Sequence, residues 1–282
     1  MIFTKSNIAL SETGQFSKLI VDYINKNSAL QGFYAYPPTI ESFQQAMVDR
    51  NKETLNREVL VNALKDQYKK AGITGVEKTI DLLLDKNTYT VCTGHQLCLF
   101  TGPLYFIFKL ISTINLAETL KKKYPSSHFV PIYWMATEDH DFEEVCSVNL
   151  FGKTIKWNNN DASGAVGRLK TDSLSEVMTE LQPILGDTEN ARKLTALFTQ
   201  AYLNHKTIAD ATRWLVHQLF STYGLVIIDG DDARLKATFA DILEDDLLNN
   251  TNHKFVNETI VQLEKQQIKA QVNPRLINIF YM

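Results

Sequence analysis

Cysteine is scarce in this chain. Its 282 residues include three, Cys92, Cys98 and Cys146. The number is odd and no CxxC pair occurs, which argues against a disulfide framework and for a reducing cytoplasm. Positive charge is not in surplus either: 29 Lys and Arg face 32 Asp and Glu, for a formal net charge of −3. A nucleic-acid partner would need a basic surplus or stripe, so none is expected. The one cationic cluster, Lys121-Lys122-Lys123, falls at the end of a predicted helix, where cations offset the negative end of the dipole. Long apolar runs are missing as well. Nothing approaches the roughly 18–20 residues of a membrane span. The opening MIFTKSNIALSETGQF has no apolar core of signal-peptide length. A soluble, cytoplasmic protein is the expectation.

What is present is 44% hydrophobic residues, enough for one large domain or two modest ones. Apolar spacings of three and four predict helices over 17–25, 40–51, 53–71 and 75–84. The paired prolines of YAYPPT separate the first from the second. Residues 88–92 are rich in β-branched and aromatic types and read as a strand. A helix over 103–124 follows, with Leu104, Ile107, Ile111, Ile114 and Ala117 on one stripe. An apolar strand at 129–136 completes a βαβ unit, so both strands should be parallel and buried. Residues 148–151 and 154–157 read as a hairpin, and the polar NNNDASGAVGR as a loop marking an insertion. Helices are expected at 173–184, 188–203 and 206–222, a strand at 225–229, and helix again over 231–267 with a break near 249–252. QVNPRLINIFYM is strand-like and should need a partner to pair its backbone.

Three segments share one design, a buried strand followed by polar residues: VCTGHQ, YWMATEDHDFEE and LVIIDGDD. Ligands of open α/β sheets bind at the carboxyl ends of the strands. In the first segment, Gly94 and Gly102 permit tight turns and close approach of a ligand. The helix near Pro103 offers free N–H groups to a phosphate or carboxylate. His95 could donate to that anion, or His95 and Gln96 could satisfy turn carbonyls. The stretch is neither G-x-G-x-x-G nor G-x-x-x-x-G-K-[ST]. In the second segment Glu138, Asp139, His140, Asp141, Glu143 and Glu144 fall within seven residues. Glu143 and Glu144 fit ordinary first-turn capping. Asp139-His140-Asp141 offers a base with an orienting carboxylate, ammonium contacts, or two or three metal ligands. Asp229-Gly230-Asp231-Asp232 is a site or a turn with a helix cap. Arg275 could clamp a carboxylate or lie on the surface. Cys92 and Cys98, in apolar stretches, are expected to be small buried residues rather than nucleophiles.

TGHQLCLFTGPLYFIFKLISTINLA and PIYWMATEDHDFEE together resemble the bacterial bacillithiol biosynthesis cysteine-adding enzymes. LVIIDGDD and QVNPRLINIFY resemble later blocks of that family in the expected order. The resemblance covers the whole chain but only the first half or so of the family's length, so the chain looks truncated. It implies an α/β fold, a Rossmann-like core with parallel sheet, N-terminal helices and a mainly helical connecting-peptide insertion. The implied organisation is 1–157 for the helices and first part of the core, 158–205 for the insertion, 206–270 for the return to the core, and 271–282 for the start of a segment cut short. Related nucleotidyltransferases and aminoacyl-tRNA synthetases hold phosphates on a His-x-Gly-His turn; Cys92 replaces the first histidine here.

The resemblance implies a ligase adding L-cysteine to glucosaminyl-malate through an amide, with ATP or another nucleotide as activator and no metal assigned. Catalytic candidates are His95, Asp139, His140 and Asp141. Candidates for substrate or phosphate contact are Thr93, Gly94, Gln96, Thr101, Gly102, Trp134, Glu138 and Asp229. A homodimer is implied for the full-length family, though not for this chain. A truncated binding module, and a nucleotidyltransferase acting on another small substrate, stay open as alternatives.

Overall fold

The computed structural model describes Thr4, residues 6–159, residues 162–277 and Ile279. In chain order the helices and strands are α1 (Lys18–Ile24), α2 (Ser42–Arg50), α3 (Arg57–Lys70), α4 (Glu77–Asp81), β1 (Thr88–His95), α5 (Leu104–Lys123), β2 (His128–Met135), α6 (Phe142–Val145), β3 (Ser147–Leu150), β4 (Lys153–Lys156), α7 (Leu174–Leu185), α8 (Glu189–Leu203), α9 (Ile208–Phe220), β5 (Val226–Asp229), α10 (Ala233–Ala237), α11 (Ala240–Asn249) and α12 (Thr251–Lys265). Two compact units result: residues 55–239, and the described residues of 1–54 with 240–281.

The larger unit is built on a parallel sheet of order β1-β2-β5. The three strands expected to be parallel neighbours are so, and their carboxyl ends share one edge. The central strand β2 buries Val130, Ile132, Tyr133 and Met135. β1 is an edge strand, and Thr90, Cys92 and Gly94 along it are exposed. Cys92 is therefore not the buried residue its apolar neighbours suggested: alternation on a strand at the margin of the sheet turns it outward.

α5 packs on the sheet through Phe106, Leu110, Ile114, Ala117 and Leu120. The stripe expected from sequence is rotated from this one, since Leu104 is 68% and Ile111 40% exposed. LYFIFKLISTINLA is apolar nearly all round, so its periodicity does not select a face and the sheet does. The β3–β4 hairpin turns through Phe151 and Gly152, both at positive φ, as a two-residue hairpin requires. Behind it Trp157 is buried, its indole N–H donating to Ser173 Oγ at 2.8 Å.

Among the described residues the outer margin of β5 has no strand beside it, and side chains satisfy it instead. Ile227 N–H donates to Tyr68 Oη (2.8 Å), Arg213 Nη1 donates to Ile227 O (2.7 Å), Asp229 N–H donates to Gln67 Oε1 (3.0 Å), and Gln67 Nε2 donates to Asp229 O (3.0 Å). Buried backbone groups must find partners, and α3 and α9 supply them.

In the smaller unit α1 is capped by Ser17, whose hydroxyl accepts from Ile20 N–H. Asn250, at φ +52°, breaks α11 from α12 within the interruption expected at 249–252. Buried Asp246 accepts Asn252 N–H there. Residues 271–277 form no strand, contrary to the strand-like reading. No strand pairs with them among the described residues, and apolar β-rich composition without a partner makes no ladder. The rest of that run, Ile279 apart, lies outside the described residues.

Candidate functional site

β1 delivers Thr93, Gly94 and His95 to the edge where the three strands end. The next turn is unusual. Phe100, Thr101 and Gly102 all take positive φ, +53°, +71° and +58°. Only the third is a glycine, and there a Cβ would lie 2.5 Å from Cys98 Cβ. Phe100 N–H donates to the buried Tyr202 hydroxyl at 2.8 Å, which holds the turn. Positive φ at two side-chain-bearing residues costs energy. The outcome is a tight entry into α5, whose first N–H groups have no side-chain cap.

His95 faces inward. It is 7% exposed, stacked on Phe106 and edge-on to Tyr105, with Nε2 3.9 Å from Cys98 Sγ. Burial, with Lys109 nearby, pushes its pKa down to about 4. Its ring is thus neutral at pH 7 and cannot meet an anion as a cation. Lys109 donates to Gly94 O. Burial raises the Cys98 thiol, with Glu144 and Asp139 adding to the effect, so it is not an activated nucleophile. A cavity of about 10 Å³, roughly the space of one water, lies among Gln96, Cys98, Thr101, Phe106 and Tyr133.

Gln96 joins the first segment to the second. Its Nε2 donates to Asp139 Oδ2 (2.8 Å) and to Glu144 Oε2 (2.6 Å). Burial alone would raise the Asp139 carboxyl, but hydrogen bonds from Asp141 N–H and Gln96 and the charge of His140 prevail and lower it. Asp139 is an ionised acceptor. His140 is exposed beside it. Asp141 caps α6, accepting Glu144 N–H at 3.3 Å. An open depression beyond, lined by His140, Asp141, Glu143, Lys156 and Asn158, adjoins this turn.

The third segment meets the second directly. Thr137 Oγ1 donates to Asp229 Oδ1, which also accepts Asp231 N–H at 2.9 Å. Trp134, 40% exposed, stands over Gly230. Glu138 pairs with Lys236, and Asp231 takes a two-pronged contact from Arg168 (2.6 and 2.8 Å). Gly167 lets the loop before α7 touch this edge: its N–H donates to Thr137 O at 2.9 Å, and a Cβ on it would meet Thr137 Cβ at 2.6 Å.

The structure thus brings Gln96 to Asp139, and Thr137 to Asp229, at the sheet's carboxyl edge. It does not bring His95 to that surface. Sequence reasoning missed Gln67, Thr137, Gly167, Arg168, Arg213 and Lys236, and treated Glu144 as a cap. Only Thr137 and Glu144 lay in a segment read as a candidate site, while Gly167 and Arg168 lay in the polar loop read as an insertion. The remainder come from helices distant in sequence and carried no local signal. Among the described residues no group of three or more His, Cys, Asp or Glu could hold a metal ion, and no helix is long and apolar enough to cross a membrane.

The chain matches the family described as "Bacillithiol biosynthesis BshC, N-terminal Rossmann-like domain" over residues 3–282. It is 49% identical over 278 residues to a Flavobacterium johnsoniae protein, covering 98% of this chain and 52% of that one. A Cytophaga hutchinsonii protein is 41% identical (99% and 52% covered), and one from Salinibacter ruber 32% (95% and 51%). Each bears the name "Putative cysteine ligase BshC". The chain spans about half the length of these relatives. A parallel three-stranded sheet, polar residues gathered at its carboxyl edge and a family match over nearly every residue lead to one conclusion: the chain belongs to the bacillithiol biosynthesis BshC family, in the region of its N-terminal Rossmann-like domain.

Proposed function

We propose that this chain carries the substrate crevice of a ligase that joins L-cysteine to glucosaminyl-malate through an amide, in the last step of bacillithiol biosynthesis. The observation that supports it best is the Gln96 amide held between the Asp139 and Glu144 carboxylates at the sheet edge. Two acceptors at that spacing suit the ammonium of an amine substrate. Asp139, held low, binds that charge rather than removing its proton. His140, exposed beside it, takes the proton as the amine attacks. Asp229 accepts from a substrate hydroxyl or amine across the crevice.

A free carboxylate and an amine do not condense favourably in water, so activation with a nucleotide such as ATP belongs to the proposal. The Gly94–His95 turn does not fit its phosphates: His95 is buried and neutral, and the lysine beside it is engaged by Gly94 O.

The test is a thiol-product assay with glucosaminyl-malate, cysteine and ATP, run on the 282-residue chain and on a full-length relative. His140→Ala should lower kcat by about 10²–10⁴-fold, the usual contribution of a positioned base, with little change in Tm. Asp139→Asn should raise KM. Near-normal rates in both variants would refute the assignment. Product from the relative alone, with glucosaminyl-malate still bound by the chain, would favour the binding-module reading.

A further inference from the structure

Asp229 Oδ1 is fully used, by Thr137 Oγ1 and Asp231 N–H, and Oδ2 has no hydrogen bond among the described residues. The second oxygen is thus open to solvent or to a ligand at the sheet edge. What fixes its position lies behind the strand. Gln67 Oε1 accepts Asp229 N–H and Arg213 Nη2 (3.1 Å), while Nε2 donates to Asp229 O and to Asp232 Oδ2 (3.3 Å). Four partners with opposed demands leave the amide one orientation. Arg213 is 2% exposed. No carboxylate lies within ion-pair distance of it among the described residues; it spends its donors on Gln67 and Ile227 O, and its guanidinium faces the Tyr68 ring 5.5 Å away. Asp229 and Asp210 favour its charge only from beyond contact, and a buried charge without a contacting counter-charge is costly. An apolar residue would serve packing at lower cost.

We propose that Gln67 and Arg213 are positioning residues. Arg213 locks the Gln67 amide, Gln67 clamps both main-chain groups of Asp229, and the clamp aims Asp229 Oδ2 at a hydroxyl or ammonium of the substrate. This rests on the reading of the strand ends as the substrate crevice.

The test combines a ligand-free and a ligand-bound measurement on the 282-residue chain. Amide hydrogen exchange at Asp231, whose N–H donates to Asp229 Oδ1, reports the carboxylate's placement directly. It should quicken roughly tenfold in Gln67→Met while Val226 and Ile228, paired with β2, stay protected. Calorimetry with glucosaminyl-malate then compares Gln67→Met, Asp229→Asn and the double variant. Each single change should weaken binding roughly tenfold, and the double should be no weaker than Asp229→Asn alone, because one acts through the other. Multiplying losses, or unchanged Asp231 exchange, overturns the proposal. Gln67→Glu serves if Gln67→Met does not fold: it keeps both acceptor contacts and loses both donors, so it should show the same Asp231 effect. If Asp229→Asn leaves binding intact, the crevice reading fails, while Asp231 exchange still decides the clamp.

Discussion

Trp134 and Gly230 stand so close that a Cβ built on Gly230 would lie 2.5 Å from Trp134 Cζ2. The indole rests where any other residue's side chain would begin. Gly230→Ala should therefore destabilise the chain by about 1–3 kcal/mol, the range for overpacking. In a Trp134→Ala background the same change should cost little. Urea denaturation of the two single variants and the double one measures the coupling; additive costs would mean that the indole moves aside freely.

His95 should make the fold acid-sensitive. Its unfolded form titrates near the ordinary 6.5, while burial and Lys109 hold the folded ring at about 4. The folded pKa is depressed, so stability is full above pH 6.5 and falls as pH drops toward 4. Proton linkage puts that loss at roughly 2–3 kcal/mol. His95→Phe keeps the ring against Phe106 and should flatten the decline between pH 6.5 and 4. His217, also held low by burial, leaves a residual slope. Chemical denaturation at a series of pH values reads both.

Gln96→Glu would replace the shared donor with a third carboxylate against Asp139 and Glu144. A cost of about 1 kcal/mol or more is expected at pH 7, from like charges in contact. Acidification should remove it as one of the three takes a proton. A Tm difference from the parent chain that persists unchanged to pH 4 would mean that the three groups do not converge.

The thiols should react in order of exposure. Cys92 lies on the margin of the sheet and Cys146 is buried. Partial desolvation against the sheet raises the exposed Cys92 thiol, and burial with Glu143 beside it raises Cys146, so neither is an activated thiolate. Iodoacetamide at neutral pH should label Cys92 first, roughly tenfold or more ahead of Cys146, with peptide mass spectrometry giving the order.

Much of the architecture is legible in the sequence. The strand at 129–136 is apolar because it is central, and the three strand ends were visible as polar tails on apolar runs. What failed was whatever depended on neighbours. The face of α5 was misread because its residues are apolar all round. Cys92 was misplaced because sequence does not reveal which strand is marginal. At the site, Asp139 was legible from its segment. Gln67 and Arg213 were not, since a glutamine and an arginine within amphipathic helices look like solvated residues until the fold sets them on β5. His95 had the right spacing for an anion contact, yet the aromatic residues of α5 draw it inward.

The side chains along β5 also limit how the sheet can grow. Tyr68, Gln67 and Arg213 take the hydrogen-bonding positions a fourth strand would occupy, so that margin is sealed against extension and against strand-to-strand association with other chains. β1 has no strand on its outer side among the described residues. Arg57 and Lys109 cover Thr88 O and Gly94 O toward its two ends, so of the two margins that of β1 is the less closed to an added strand.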